Sequence, residues 1–247
     1  MLKSMLRLTT LALSFCTLSM GLARAGDVTL KLGTLTGAPV YLSLNGGSYS
    51  YQQGGNVGNS LLDGKVTPYI YCVDLNHSIN TNFNGIADET TNGVIHTDGT
   101  PSYPGYTVNN AGQVSWLVKN LANGATTAAE QGGLQAAIWK AIYGSNLVVD
   151  TTNDGKNSAA LINAYNNDMA LLGSNTLAVN KLYWLSPFDN NGHPTLQGLV
   201  ALTPEPSTLV MLGTAGVGGI GLVVRRRRGG VAKPVVARRR GPVFHES

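Results

Sequence analysis

From residue 26 onward, the chain opens on a two-residue alternation. Val28, Leu30 and Leu32 are separated by Thr29 and Lys31, and Val40, Leu42 and Leu44 by Tyr41 and Ser43. That period gives a strand one apolar face, so both stretches are predicted as half-buried strands. Gly46-Gly47 follows the second, and residues 49–53 return as its hairpin partner. From Val66 to Leu75 the chain is rich in β-branched and aromatic residues, which predicts another strand with Cys72 near its end. Residues 76–105, full of Asn, Thr, Gly and Pro, read as a long irregular connection.

The period then lengthens. Val114, Leu117, Val118 and Leu121 recur at helical spacing, with Asn109 or Asn110 as the candidate cap and Gly124 beyond the last turn. Thr127-Ala128-Ala129-Glu130 is a capping box that opens a second helix ending at Gly144. A third helix runs from Ser158 to Leu172, with Leu161, Tyr165, Met169 and Leu172 on one face and Gly173 as its stop. Strand character returns at 177–185 and 196–202. The expected fold class is α+β: a β-sandwich or barrel-like body carrying an inserted three-helix subdomain. No internal repeat interrupts this plan.

The net charge of +4 suggests nucleic acid until the charges are placed. Eleven of the 17 basic residues lie before residue 26 or after residue 224, while residues 26–203 hold six lysines, no arginine and eleven acids. The middle of the chain is acidic, which removes the electrostatic basis for a nucleic-acid partner. The ends read as addresses instead. Residues 1–25 have a basic start at Lys3 and Arg7, an apolar stretch from Leu8 to Leu22 and Ala23-Arg24-Ala25 as a cleavage site, the plan of a secretory signal peptide.

At the other end, Pro204, Glu205 and Pro206 precede an uncharged run through Leu209–Val224, closed by Arg225, Arg226, Arg227 and Arg228. With Ser207 and Thr208 the run has 18 residues, about 27 Å as a helix against a hydrocarbon core of about 30 Å, so it is predicted to span. The arginines hold its C-terminal end inside. Residues 204–228 resemble the PEP-CTERM sorting signal of exopolysaccharide-producing Gram-negative bacteria. The resemblance implies exosortase as a partner, an inner-membrane anchored precursor, cleavage near Pro-Glu-Pro and delivery to the cell surface or extracellular matrix. Residues 229–247 form a basic cytoplasmic tail past the usual end of such signals.

Removing the signal leaves one cysteine, Cys72, in the ectodomain of residues 26–203, where it has no partner for an intramolecular disulfide. In the second helix, Ile138, Trp139 and Ile142 follow Gln135 at three, four and seven residues, which sets a primary amide on the apolar stripe. An amide there costs roughly 1–3 kcal/mol for each group left unpaired, so something must meet it. A backbone partner would suffice. Tyr71-Cys72-Val73 and Leu134-Gln135-Ala136-Ala137-Ile138-Trp139 together resemble the two signature motifs of bacterial thioester domains, found at the tips of Gram-positive surface adhesins.

The resemblance implies an internal thioester between the Cys72 sulfur and the Gln135 side-chain carbonyl, formed with loss of ammonia. Trp139, one turn from Gln135, is placed to shield it. An amine or hydroxyl on a surface or matrix would attack the carbonyl and expel Cys72, leaving the protein attached through Gln135. The event is single-use, so the chain is not expected to be an enzyme, and it needs no cofactor. Two other readings stand beside it: a passive matrix or surface protein with a buried free Cys72, and a cysteine hydrolase using His77, His96 or His193 as base. His77 lies five positions from Cys72, on the opposite face if the strand continues. The histidines lack metal-ligand spacing, and the Asp150–Asp154 segment lacks the length and glutamate of a calcium loop, so no metal is expected.

Overall fold

The structure is a computed structural model and describes residues 26–96, 105–152, 154–189, 191, 193 and 196–203. In chain order the strands are β1 (Gly26–Lys31), β2 (Thr34–Leu35), β3 (Val40–Leu44), β4 (Ser50–Gln52), β5 (Val57–Gly58), β6 (Ser60–Leu62), β7 (Lys65–Thr67), β8 (Ile70–Cys72), β9 (Asn84–Thr90), β10 (Val94–Ile95) and β11 (Tyr106–Thr107). The helices α1 (Ala111–Leu121) and α2 (Ala128–Tyr143) follow, then β12 (Leu147–Val149), α3 (Ala159–Leu172), β13 (Leu182–Pro187) and β14 (Leu199–Leu202). The signal peptide, the Pro-Glu-Pro segment, the span, the arginine stop and the tail lie outside the described residues. Among the described residues, no helix is long and apolar enough to cross a membrane.

Seven strands form one antiparallel sheet in the order β7-β6-β1-β9-β13-β14-β8. Its two edge strands, β7 and β8, are separated in sequence only by Pro68 and Tyr69. Two residues span little more than 10 Å even when extended, so the edges lie close and the sheet curls into a nearly closed barrel. Pro68 cannot donate to a ladder, and Tyr69 adopts φ 62°. Together they break the expected strand over 66–75 into two and turn the chain from one edge of the sheet to the other. A smaller sheet, β12-β3-β4, ties the helical insert back to the body through Leu147 opposite Leu44 and Val149 opposite Leu42.

The connection expected over 76–105 is corrected by β9, which lies inside the large sheet between β1 and β13. Its sequence, Asn-Gly-Ile-Ala-Asp-Glu-Thr, has only one large apolar residue, Ile86, and Ala87 and Thr90 alone are buried. Neighbouring strands supply its backbone partners on both sides, so tertiary pairing overrides composition. The strand expected at 177–185 begins only at Leu182, after a 3-10 turn over Val179–Lys181.

The capping box of α2 is present as read, with Glu130 N–H donating to Thr127 and the Glu130 carboxylate accepting from the Thr127 backbone. Ser158 caps α3 in the same way, accepting from Leu161 N–H at 3.2 Å. Asn110 occupies the N-cap of α1 but makes no side-chain cap; its amide donates to Ala141 of α2 at 2.8 Å instead. The expected one-sided stripe of α2 is also corrected. Every residue from Gln131 to Trp139 is buried, because α1 and α3 pack against the helix and β12 and β3 of the smaller sheet also lie against it. Gly133 makes this possible: a Cβ there would stand 2.6 Å from Ala164 Cβ and 2.8 Å from Tyr165 N.

Candidate functional site

Two elements meet at the proposed pair. Cys72 ends β8, where Leu199 of β14 is its neighbour across the sheet and Val73 N–H donates to Gly198 at 2.9 Å. Past Val73 the strand is spent. Gln135 sits mid-way along α2, with the capping box one turn and a half before it and Trp139 one turn beyond. Both residues are fully buried.

The structure brings them together. Cys72 N–H donates to Gln135 Oε1 at 3.0 Å, and Gln135 Nε2 donates to Cys72 O at 2.7 Å. Alternate residues of a strand present their backbone groups to the same edge. Ile70 N–H, two residues earlier, donates to Asn56 Oδ1 at 2.7 Å. The outward edge of β8 is therefore completed by side-chain amides rather than by another strand. Both hydrogen-bonding atoms of Gln135 are bonded to its Cδ, so that carbon is held beside the backbone of the residue that carries the thiol.

The surroundings fix this contact. Gly54 lies over α2: a Cβ there would come within 2.6 Å of Gln135 Cγ and 3.2 Å of Trp139 Cη2. Trp139 is fully buried, and its indole N–H has no hydrogen-bond partner among the described residues. One turn before Gln135, Gln131 Oε1 accepts from the Tyr71 hydroxyl at 2.8 Å and from Asn56 N–H at 3.1 Å, while its Nε2 donates to the Ala125 carbonyl. Burial pushes the Cys72 thiol well above the usual thiol range, and the Asp74 carboxylate pushes it the same way. A free thiolate is strongly disfavoured there.

Asp74 stands two residues after Cys72 and is itself buried. Its Oδ1 accepts from Asn76 N–H at 2.8 Å, and its Oδ2 pairs with His77 Nδ1. Tyr143 of α2 brings its hydroxyl 3.5 Å from Oδ1 and accepts from Leu75 N–H at 2.9 Å. Burial raises the Tyr143 hydroxyl to about 12, although the Leu75 bond opposes the shift. His77 and Trp139 line a cleft of about 270 Å³ whose other walls include Gln52, Gln53 and Gln197. Cys72 and Gln135 are not among its lining residues.

The other candidates are dispersed. His96 Nδ1 pairs with Asp88 at 3.2 Å, and the His193 backbone N–H donates to Asp189 at 2.9 Å, so the two residues bond to different carboxylates. No hydrogen bond joins any of them to Cys72 among the described residues. Asp150 is turned onto Thr152, and Asp154 pairs with Lys156 at 3.1 Å. No cluster of three candidate metal ligands occurs among the described residues. Sequence reasoning missed Gln131, Gly54 and the Asp74–His77 pair. The first was legible as a second glutamine four residues before Gln135, on the same helix face. Asp74 was legible only as an acidic residue two positions past Cys72 and three before His77; the strand ends before it.

Residues 202–228 match the PEP-CTERM protein-sorting motif. The motif marks the chain as an exosortase substrate, made as a membrane-anchored precursor and exported to the cell surface. No curated protein and no solved structure matches the chain.

Proposed function

We propose that the exported ectodomain acts by covalent attachment, through an internal thioester between the Cys72 sulfur and the Gln135 carbonyl. One observation carries the reading: the Gln135 carboxamide gives both of its hydrogen bonds to the backbone of Cys72, within a fully buried site. In forming the bond the thiol sulfur attacks Cδ, its proton passes to the departing nitrogen, and ammonia leaves. Fixing both groups on packed elements replaces a rare encounter with a high effective concentration.

The dry surroundings favour the product. Burial penalises an ionised thiolate but not a neutral thioester, and it excludes the water that would hydrolyse one. Trp139 closes the site toward the cleft, in keeping with a shielding role. An amine or hydroxyl on a matrix polymer or neighbouring surface would then take the acyl group and release Cys72 as a thiol. Exosortase processing would deliver the domain to that surface.

A second reading, a passive surface protein, is favoured by the same burial of Cys72, since an inert core cysteine also has a raised pKa. Intact mass separates the two. The thioester form is expected to be short by one ammonia, to take up methylamine stoichiometrically, and to lose both properties in Cys72→Ala. A wild-type protein of full mass, with a thiol alkylated only on unfolding, would establish the passive reading.

A further inference from the structure

We infer that residues 53–56 form a gate over the Cys72–Gln135 pair, and that an acceptor reaches Gln135 only while this strap is lifted. This rests on the thioester reading and adds the control of access to it. Cys72 and Gln135 are both fully buried, so an attacking group has to displace part of the wall around them.

Two elements press on the Gln135 side chain. β8 does so through the two hydrogen bonds of Cys72, and it cannot withdraw without losing the alignment of the carboxamide. Gly54 does so by packing alone: a Cβ there would come within 2.6 Å of Gln135 Cγ and 3.2 Å of Gln135 Cβ. Gly54 and Gly55 lie between β4 and β5, outside any strand, and among the described residues their backbones take part in no hydrogen bond. Both are buried, whereas Gln53 beside them is exposed and lines, with Gln52, the cleft next to Trp139. The strap thus has Gln135 on one side and the cleft on the other. Buried backbone groups without partners regain water when such a segment lifts, which lowers the cost of opening.

A latch holds each end. Gln53 Nε2 donates to Gly37 O at 3.1 Å. At the other end, Asn56 O accepts from Thr36 N–H at 2.9 Å, Asn56 N–H donates to Gln131 Oε1 at 3.1 Å, and Asn56 Oδ1 accepts from Ile70 N–H at 2.7 Å. Gln131 lies one turn before Gln135 and Ile70 two residues before Cys72, so this latch grips both elements that carry the pair. Closure also requires a bare backbone at Gly37, where a Cβ would stand 2.6 Å from Gly54 O and 2.6 Å from Gly55 Cα. Gly37 is not among the positive-φ glycines, so an alanine suits its backbone and acts by wedging the strap away.

The test follows methylamine coupling of the whole protein by intact mass. In wild type, coupling is expected to accelerate about tenfold in urea below the unfolding transition, with a slope well under that of global unfolding, because lifting a short segment exposes little surface. Gly37→Ala, which wedges the strap, and Asn56→Ala, which removes the bond to Ile70, are each expected to keep the ammonia deficit and to couple about tenfold faster without urea. Wild-type coupling that ignores urea, or that rises with the full unfolding slope, would overturn the gate while leaving the thioester intact. Folded variants that carry the deficit and couple at the wild-type rate would do the same, and the wild-type slope decides alone where a variant fails to fold. A wild-type protein without the deficit would remove the thioester and the gate together.

Discussion

Gln131 and Gln135 lie one turn apart on α2, both buried and both turned toward β8, yet their surroundings differ. Gln131 divides three hydrogen bonds among Tyr71, Asn56 and Ala125, which belong to three separate segments. Gln135 gives its bonds to a single residue, Cys72. A carboxamide shared among several segments holds those segments together. One spent on a single residue holds its own carbonyl carbon in place. The same side chain on the same helix face thus serves assembly in one turn and reactivity in the next.

Exchanging the two turns by mutation gives the largest contrast. Gln135→Ala should abolish the ammonia deficit and methylamine uptake entirely, whereas Gln131→Leu should retain both while lowering stability by about 3 kcal/mol or more, since each group it strands costs about 1–3 kcal/mol. Denaturant melts and intact mass on both variants check this, and loss of the deficit in Gln131→Leu alone would reverse the assignment. Gly54→Ala presses on Gln135 and on Trp139 one turn beyond it. Its added carbon would meet Gln135 Cγ at 2.6 Å, so a destabilisation of about 1–3 kcal/mol is expected together with slower bond formation, followed by mass over time.

The smallest effect belongs to the Gln131 end. Asp168 of α3 is raised to about 6, by burial first and then by the Glu130 carboxylate. A raised carboxyl binds its proton more tightly in the folded state, so the group costs nothing at low pH and destabilises as pH climbs from about 4 through 6. Asp168→Asn should therefore be more stable than wild type by about 1 kcal/mol at pH 7, a figure reduced for partial exposure, and no more stable at pH 4. Coupling through Gln135 should be untouched. Thermal melts at the two pH values decide it.

The helices were legible because their signals are local. Thr127 and Glu130, Ser158 and Leu161, Gly144 and Gly173 each act within a turn or two of sequence, and each appears where its pattern puts it. The strands that depend on distant partners were not. β9 carries polar residues through the middle of the large sheet, and nothing in Asn84–Thr90 announces that β1 and β13 will pair with it. Cys72 and Gln135 were legible as a pair only through motif resemblance. Their residue types say that a thiol and a buried amide exist, while the contact between them depends on how α2 crosses β8. Gln131 escaped notice for the same reason: its three partners come from separate parts of the chain.

The completion of the β8 edge by Asn56 and Gln135 has a consequence for the protein as one of many identical copies. A bare edge strand is a template for the strand of a neighbour, and a chain crowded with its own kind during export is exposed to that hazard. Here the template is already occupied from within, since Ile70 N–H and both backbone groups of Cys72 have side-chain partners. A second molecule would have to evict two amides before its own backbone could zip on, so the arrangement guards against strand-to-strand aggregation at the barrel's open seam.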